Sequence, residues 1–104
     1  MKALIKDIHE NAKAHGWWEE ERSFGELVAL MHSELSEALE EYRNHKPMVY
    51  EENGKLEGVA TELADCVIRI FDWAGKEDID LEDIIIRKHE YNKTRPYKHG
   101  GKKI

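Results

Sequence analysis

The chain has 104 residues, 16 of them basic and 22 acidic, which gives a formal net charge of −6. This length fits one domain with a modest core. The negative charge argues against a general nucleic-acid binder and against a protein that binds anionic membranes. The single cysteine, Cys66, leaves no internal disulfide framework and is typical of a reducing compartment. We therefore expect one soluble, cytoplasmic domain over residues 1–104.

The first half of the chain carries two helical patterns. The first predicted helix covers residues 2–14 and ends before Gly16. The second begins after Ser23, because Ser23 and Glu26 have the spacing of a capping box, in which each side chain satisfies a free backbone N–H. Its apolar periodicity continues to about Asn44.

The second half of the chain carries two more helical patterns. Pro47 and Gly54 bracket a predicted loop, and the third helix is expected over residues 55–74 with Gly75 as its terminating residue. The fourth helix begins after the capping residue Asp80 and ends at about residue 94.

Residues 98–104 are rich in lysine and glycine, and we predict a basic, mobile tail there. The predicted fold class is therefore all-α, a four-helix bundle with oligomeric packing.

Acidic residues interrupt the apolar faces of the second and third helices. Glu34 and Glu41 fall inside the edge of the second helix's apolar arc, Glu37 lies just beyond it, and the third helix offers Glu62 and Asp65. If the helices pack antiparallel, these carboxylates converge and raise one another's pKa unless a cation neutralises them. Oxygen-only ligation suits Mg²⁺ or Mn²⁺ rather than zinc. Solvated acidic pairs are common, but their recurrence on two neighbouring helices favours a metal site.

Other polar and aromatic residues allow two interpretations. The apolar stripe of the fourth helix continues into Lys88, Asn92 and Arg95, which either hold phosphate oxygens or extend into solvent beyond the core. Trp17 and Trp18 either stack on a nucleobase or anchor a core or a subunit interface. Beside a metal site, the functional interpretation of the fourth helix is favoured.

The order of these acidic and basic residues carries a family resemblance. In chain order they are Glu34, Glu37, Glu62, Asp65, Lys88, Asn92 and Arg95. The pattern resembles the MazG-like nucleoside triphosphate pyrophosphohydrolases of the all-α NTP pyrophosphatase superfamily, over residues 20–100. The resemblance implies a helical homodimer or homotetramer that uses Mg²⁺ to hydrolyse NTPs or dNTPs to the nucleoside monophosphate and pyrophosphate.

The resemblance also implies roles for individual residues. Glu34, Glu37, Glu62 and Asp65 would bind Mg²⁺, or Mn²⁺ as a substitute, and the fourth-helix residues named above would contact the substrate. Water would attack the α-phosphorus, with either Glu37 or Glu41 accepting its proton. The family often has a further glutamate where this chain has Ser33.

Two alternatives remain open from the sequence. A related pyrophosphohydrolase of the same superfamily acts on phosphoribosyl-ATP, and this chain could share that substrate. The second alternative is a helical dimer that binds a metal or a nucleotide without catalysing a reaction, because it would carry the same acidic residues on its second and third helices.

Overall fold

The computed structural model of the chain describes residues 1–96. The elements follow in the order α1 (Lys2–Ala14), α2 (Phe24–Arg43), β1 (Tyr50–Glu52), β2 (Lys55–Glu57), α3 (Val59–Lys76) and α4 (Leu81–Lys93). The four predicted helices are present, and a small antiparallel hairpin is added to them. The predicted tail over residues 98–104 lies outside the described part of the chain.

Two helices begin at the predicted capping residues. The Ser23 hydroxyl accepts a hydrogen bond from the N–H of Glu26 at 3.1 Å, and the Asp80 carboxylate accepts one from the N–H of Asp83 at 3.1 Å. Each bond satisfies a backbone donor that the first helical turn leaves free. The Glu26 carboxylate lies 3.8 Å from Arg22, an ion pair that the capping-box pattern did not predict.

The predicted start of the third helix at residue 55 is wrong. Residues 55–57 form β2, in which Lys55 pairs with Glu52 across the hairpin. Asn53 and Gly54 both have positive φ, 54° and 77°, as a two-residue type I′ turn requires. The Asn-Gly pair therefore forms the turn of a hairpin, and the helix begins only after β2, at Val59.

Two glycines shape the ends of α3. Gly58 has φ of 119°, a conformation that separates β2 from the first helical residue, Val59. Gly75 does not terminate the helix as predicted, because α3 continues to Lys76. A Cβ atom at Gly75 would lie 2.7 Å from Cβ of His9. The glycine therefore permits a close approach of α1 to α3.

Helix α3 lies between α1 and α2 and packs against both. The α2–α3 pair is antiparallel, with Phe24 and Trp73 in ring contact at one end, at 5.5 Å between centroids, and Glu41 near Glu62 at the other. The small core cluster is centred on Ile5 of α1 with Phe71 and Ala74 of α3.

The described chain is open rather than compact. Its radius of gyration is 16.5 Å, whereas a compact domain of about 100 residues has about 13 Å. Helix α4 has no buried residue and makes only marginal contact with the other elements. None of the described helices has the length and apolar content needed to cross a membrane.

Candidate metal site between α2 and α3

Three carboxylates meet where α2 packs on α3. Glu34 of α2 and Glu62 and Asp65 of α3 each offer an oxygen, and these atoms lie within 4.8 Å of one another. Glu62 and Asp65 share a face of α3 because they are one turn apart, and the antiparallel packing places Glu34 opposite them. We call these three residues the acidic cluster.

Glu34 is the most enclosed member of the acidic cluster. The residue is only 8% exposed, and its Oε1 accepts a hydrogen bond from Nε of Arg69 at 2.9 Å. Arg69 lies one turn after Asp65 on α3. A buried carboxylate needs such a partner, since an unpaired charge is costly to remove from water.

Burial and neighbouring acidic groups raise the pKa of two members of the acidic cluster. Burial, followed by a hydrogen bond with Glu37 and the charges of nearby carboxylates, raises the pKa of Glu62 from 4.5 to about 7. Burial and then the charge of Glu34 raise the pKa of Asp65, an effect that the Arg69 cation opposes. For these two residues the direction agrees with the expected mutual repulsion, but burial contributes more to the rise than the neighbouring charges do.

A second acidic group adjoins the first and shares Glu62 with it. Its other members are Glu41 of α2 and Glu57 of β2. The Tyr50 hydroxyl donates a hydrogen bond to Glu41 at 3.1 Å. The hairpin therefore brings the Glu57 carboxylate and the Tyr50 phenol to this end of the α2–α3 contact. Glu57 and Tyr50 were not among the predicted site residues, because the sequence pattern places Glu57 in a helix and Tyr50 in a loop.

The structure brings together three of the four predicted metal ligands. Glu37 is solvent-exposed and lies beside Glu62, but it is outside the acidic cluster. Glu37 and Glu41, the two predicted proton acceptors, therefore both lie next to Glu62, one exposed and one hydrogen-bonded to Tyr50.

A cleft of about 650 Å³ opens beside the acidic cluster. Its lining includes Glu34, Asp65, Arg69 and Trp17, together with polar residues of α1 such as Asn11. This volume lies within the usual range for small-molecule sites. Of the two tryptophans predicted to contact the substrate, Trp17 lines this cleft together with Glu34 and Asp65.

The two tryptophans have different surroundings. The Trp17 ring lies under two guanidinium groups, with the Arg22 carbon 3.7 Å and the Arg69 carbon 5.3 Å from the ring centroid. A nucleobase stacked on Trp17 would compete with them. Trp18 instead donates from Nε1 to Asp72 at 2.9 Å, a contact that fits an anchoring role, and its role as a substrate ligand stays a prediction.

Asp72 ties α3 to the first part of the chain. Its Oδ1 accepts from both Trp18 and Nδ1 of His9, the latter at 2.8 Å. Asp72 is buried, and these two bonds satisfy its carboxylate. Sequence reasoning missed this contact because its members are more than 50 residues apart.

Two of the predicted phosphate ligands lie on α4 and the third, Arg95, lies just beyond its last residue, Lys93, apart from the acidic cluster of the same chain. Lys88, Asn92 and Arg95 are all exposed, and Lys88 lies 4.9 Å from the ring centroid of Tyr91. Helix α4 starts beyond the C-terminal end of α3, whereas Glu62 and Asp65 lie near the N-terminal end of α3. Their role as substrate ligands stays a prediction.

The donor set of the acidic cluster fits a hard divalent cation. It consists of carboxylate oxygens alone, one of them deeply enclosed, which is the chemistry that Mg²⁺ and Mn²⁺ prefer and zinc does not. A cation there would offset both the burial and the neighbouring carboxylate charges that raise the pKa of Glu62.

Comparison with known proteins gives no assignment. No family model, no curated protein and no solved structure matches this chain.

Proposed function

We propose that this protein is a Mg²⁺-dependent nucleoside triphosphate pyrophosphohydrolase, which converts NTPs or dNTPs to the monophosphate and pyrophosphate. The observation that carries the proposal is the convergence of Glu34, Glu62 and Asp65 beside an open cleft. The MazG-like order of acidic and basic motifs supports the same reaction.

The acidic cluster provides the ligands that this chemistry needs. When bound, Mg²⁺ supplies charge neutralisation for the triphosphate and acidifies an attacking water. Glu34, Glu62 and Asp65 would hold the cation, and the cleft lined by Trp17 and Asn11 would receive the nucleoside. Aromatic and amide side chains are suited to stack on a base and to hydrogen-bond its edge.

The proton acceptor is one of two carboxylates near Glu62. Glu41 is oriented by the hydroxyl of Tyr50, whereas Glu37 is exposed and lies beside Glu62. Either can take the proton of a water that attacks the α-phosphorus. Replacing each in turn by glutamine distinguishes them, because loss of the base lowers kcat more than it weakens cation binding.

We also propose that the working form is a homodimer or a homotetramer. The support is the open shape of the chain, many of whose exposed apolar side chains lie on α2, α3 and α4. They include Leu35, Leu39, Leu63, Val67, Ile84, Ile85 and Ile86. Packing α4 of one copy on α2 and α3 of another would bury these faces and bring Lys88, Asn92 and Arg95 towards the other copy's acidic cluster.

A nucleotide panel tests the proposed reaction. The protein is incubated with NTPs, dNTPs and phosphoribosyl-ATP, with Mg²⁺ or with EDTA, and the products are separated by anion exchange. Glu62→Gln tests the site. The matched control is Glu40→Gln, because Glu40 is an exposed glutamate of α2 that lies outside the acidic cluster. We expect metal-dependent pyrophosphate release by the wild type and the control, and none by Glu62→Gln.

Other outcomes select the alternatives. Cleavage of phosphoribosyl-ATP alone would keep the chemistry and change the substrate. Release of phosphate and a nucleoside diphosphate would exclude attack at the α-phosphorus. Cation binding without any turnover would favour the non-catalytic metal- or nucleotide-binding dimer.

A further inference from the structure

Arg69 lies at the edge of the acidic cluster. Its Nε bonds to Glu34, the most enclosed carboxylate of the acidic cluster, and its charge also acts on Asp65. The arginine side chain is 30% exposed, against 10% for that of Glu34. The cluster therefore already has a cation at its edge.

Arg69 and a divalent cation would compete for the same carboxylate. Both are attracted by Glu34, and like charges a few ångströms apart in a partly buried site repel each other. The hydrogen bond to Oε1 also uses electron density that a metal ligand would donate. A cation that enters the acidic cluster thus weakens the Glu34–Arg69 pair.

The released guanidinium would remain in the cleft. Arg69 lines the same 650 Å³ cleft as Glu34, Asp65 and Trp17, and its guanidinium carbon is 5.3 Å from the Trp17 ring centroid. A guanidinium offers paired donors that match the spacing of phosphate oxygens. The side chain is long and partly exposed, so a change of rotamer is sufficient to redirect it.

We propose that Arg69 has two successive roles, as a placeholder that neutralises Glu34 before the cation binds and as a phosphate-binding residue afterwards. This inference rests on the proposed function. In this scheme, cation binding at the acidic cluster frees the Arg69 guanidinium to bind the phosphates of the substrate.

Direct titration tests the first role without nucleotide. Free Mn²⁺ is measured by electron paramagnetic resonance for the wild type, Arg69→Met and Arg69→Lys. Methionine keeps much of the packing volume and removes the charge, so we expect Arg69→Met to bind Mn²⁺ about 3- to 10-fold more tightly. Lysine keeps the charge and should leave the affinity within about twofold. The control is Arg87→Met, which removes an arginine on α4, away from the acidic cluster. It should bind Mn²⁺ with the affinity of the wild type.

Inorganic tripolyphosphate tests the second role. In saturating Mn²⁺, calorimetry should show that Arg69→Met binds tripolyphosphate about 10-fold more weakly, with a smaller loss for Arg69→Lys, since lysine lacks the paired donors. The two affinities of Arg69→Met thus move in opposite directions. A merely structural role would weaken both together.

The outcomes separate this inference from the proposed function. If the wild type binds no Mn²⁺, the proposed function fails and this inference fails with it. If the wild type binds Mn²⁺ and Arg69→Met binds it equally or more weakly, the placeholder role is wrong while the proposed function stands. If only tripolyphosphate binding is unchanged, the phosphate-binding role is wrong. Circular dichroism of each variant confirms that it is folded.

Discussion

Glu34 combines burial, a charge and a single strong partner. Its carboxylate is enclosed between α2 and α3 and is hydrogen-bonded to Arg69. A residue in this position serves both stability and ligand binding, because its charge must be balanced by Arg69, by a cation or by both. Its replacement therefore separates these two contributions.

We expect Glu34→Gln to bind Mn²⁺ at least about 10-fold more weakly, because an amide oxygen is a poorer ligand than a carboxylate. It should also lose about 1–3 kcal/mol of unfolding free energy, since Arg69 loses its charged partner. Mn²⁺ titration and urea unfolding measure the two effects. Glu40→Gln should change neither, and equal Mn²⁺ affinity in all three proteins would exclude Glu34 as a ligand.

The raised pKa of Glu62 predicts a pH-dependent stability. Between its ordinary value of 4.5 and about 7, the folded protein holds a proton that the unfolded chain releases, so stability falls as pH rises through this window. Without metal, the stability of the wild type relative to Glu62→Gln should therefore decrease from about pH 5 to pH 8. Added Mg²⁺ should restore it at pH 8. If the melting temperatures of the wild type and Glu62→Gln differ by the same amount at every pH in this range, the raised pKa of Glu62 would be wrong.

At the scale of elements, the contact between α1 and α3 depends on Gly75. An added Cβ there would meet Cβ of His9 at 2.7 Å and the backbone oxygen of Ile5 at 3.5 Å. The bond from His9 of α1 to Asp72 of α3 spans the same close approach.

We expect Gly75→Ala to lower the unfolding free energy by about 1–3 kcal/mol, because α1 must shift to accommodate the methyl group. Gly25→Ala is the matched control. A Cβ at Gly25 meets no described atom within 4 Å, so this change should instead add up to about 1 kcal/mol through helix propensity. Chemical denaturation compares them, and a stabilised Gly75→Ala would show that the two helices are not closely packed.

The sequence was most informative where local signals decide structure. The capping patterns of Ser23 and Asp80 located two helix starts, because they need only a few neighbouring residues. The hairpin was missed because residues 55–57 also fit the apolar periodicity of the following helix. The deciding feature is the positive φ of both Asn53 and Gly54, which acts together with strand pairing.

The candidate site was predictable only in part for the same reason. Spacing along two helices identified Glu34, Glu62 and Asp65, since residues one turn apart share a face. It did not identify Arg69, Glu57 or other partners that reach the seam by tertiary packing. The i, i+4 spacing of Asp65 and Arg69 was the available signal for a basic residue on the acidic face.

On the scale of the whole molecule, the described chain leaves much apolar surface uncovered. Its core has six buried hydrophobic residues, few for a domain of this length. Helix α4, which carries three exposed isoleucines, barely contacts the rest of the described chain. A second copy would cover these faces and supply the burial that a small domain needs.

We expect light scattering after gel filtration to give at least twice the 12.2 kDa of one chain. Ile85→Asn on α4 should shift the protein towards the monomer, because it places an amide in the proposed apolar interface. Arg87→Asn, on the opposite side of the helix, should leave the assembly intact. A wild-type protein that stays monomeric at high concentration would contradict the proposed assembly.

The central claim, metal-dependent hydrolysis at the α-phosphorus, is tested most directly by turnover in ¹⁸O-labelled water. The first substrate cleaved in the nucleotide panel is hydrolysed with Mg²⁺, and mass spectrometry locates the label. We expect the label to enter the nucleoside monophosphate, and we expect Glu62→Gln or EDTA to abolish its incorporation. Label in the pyrophosphate, in free phosphate or in no product would contradict it.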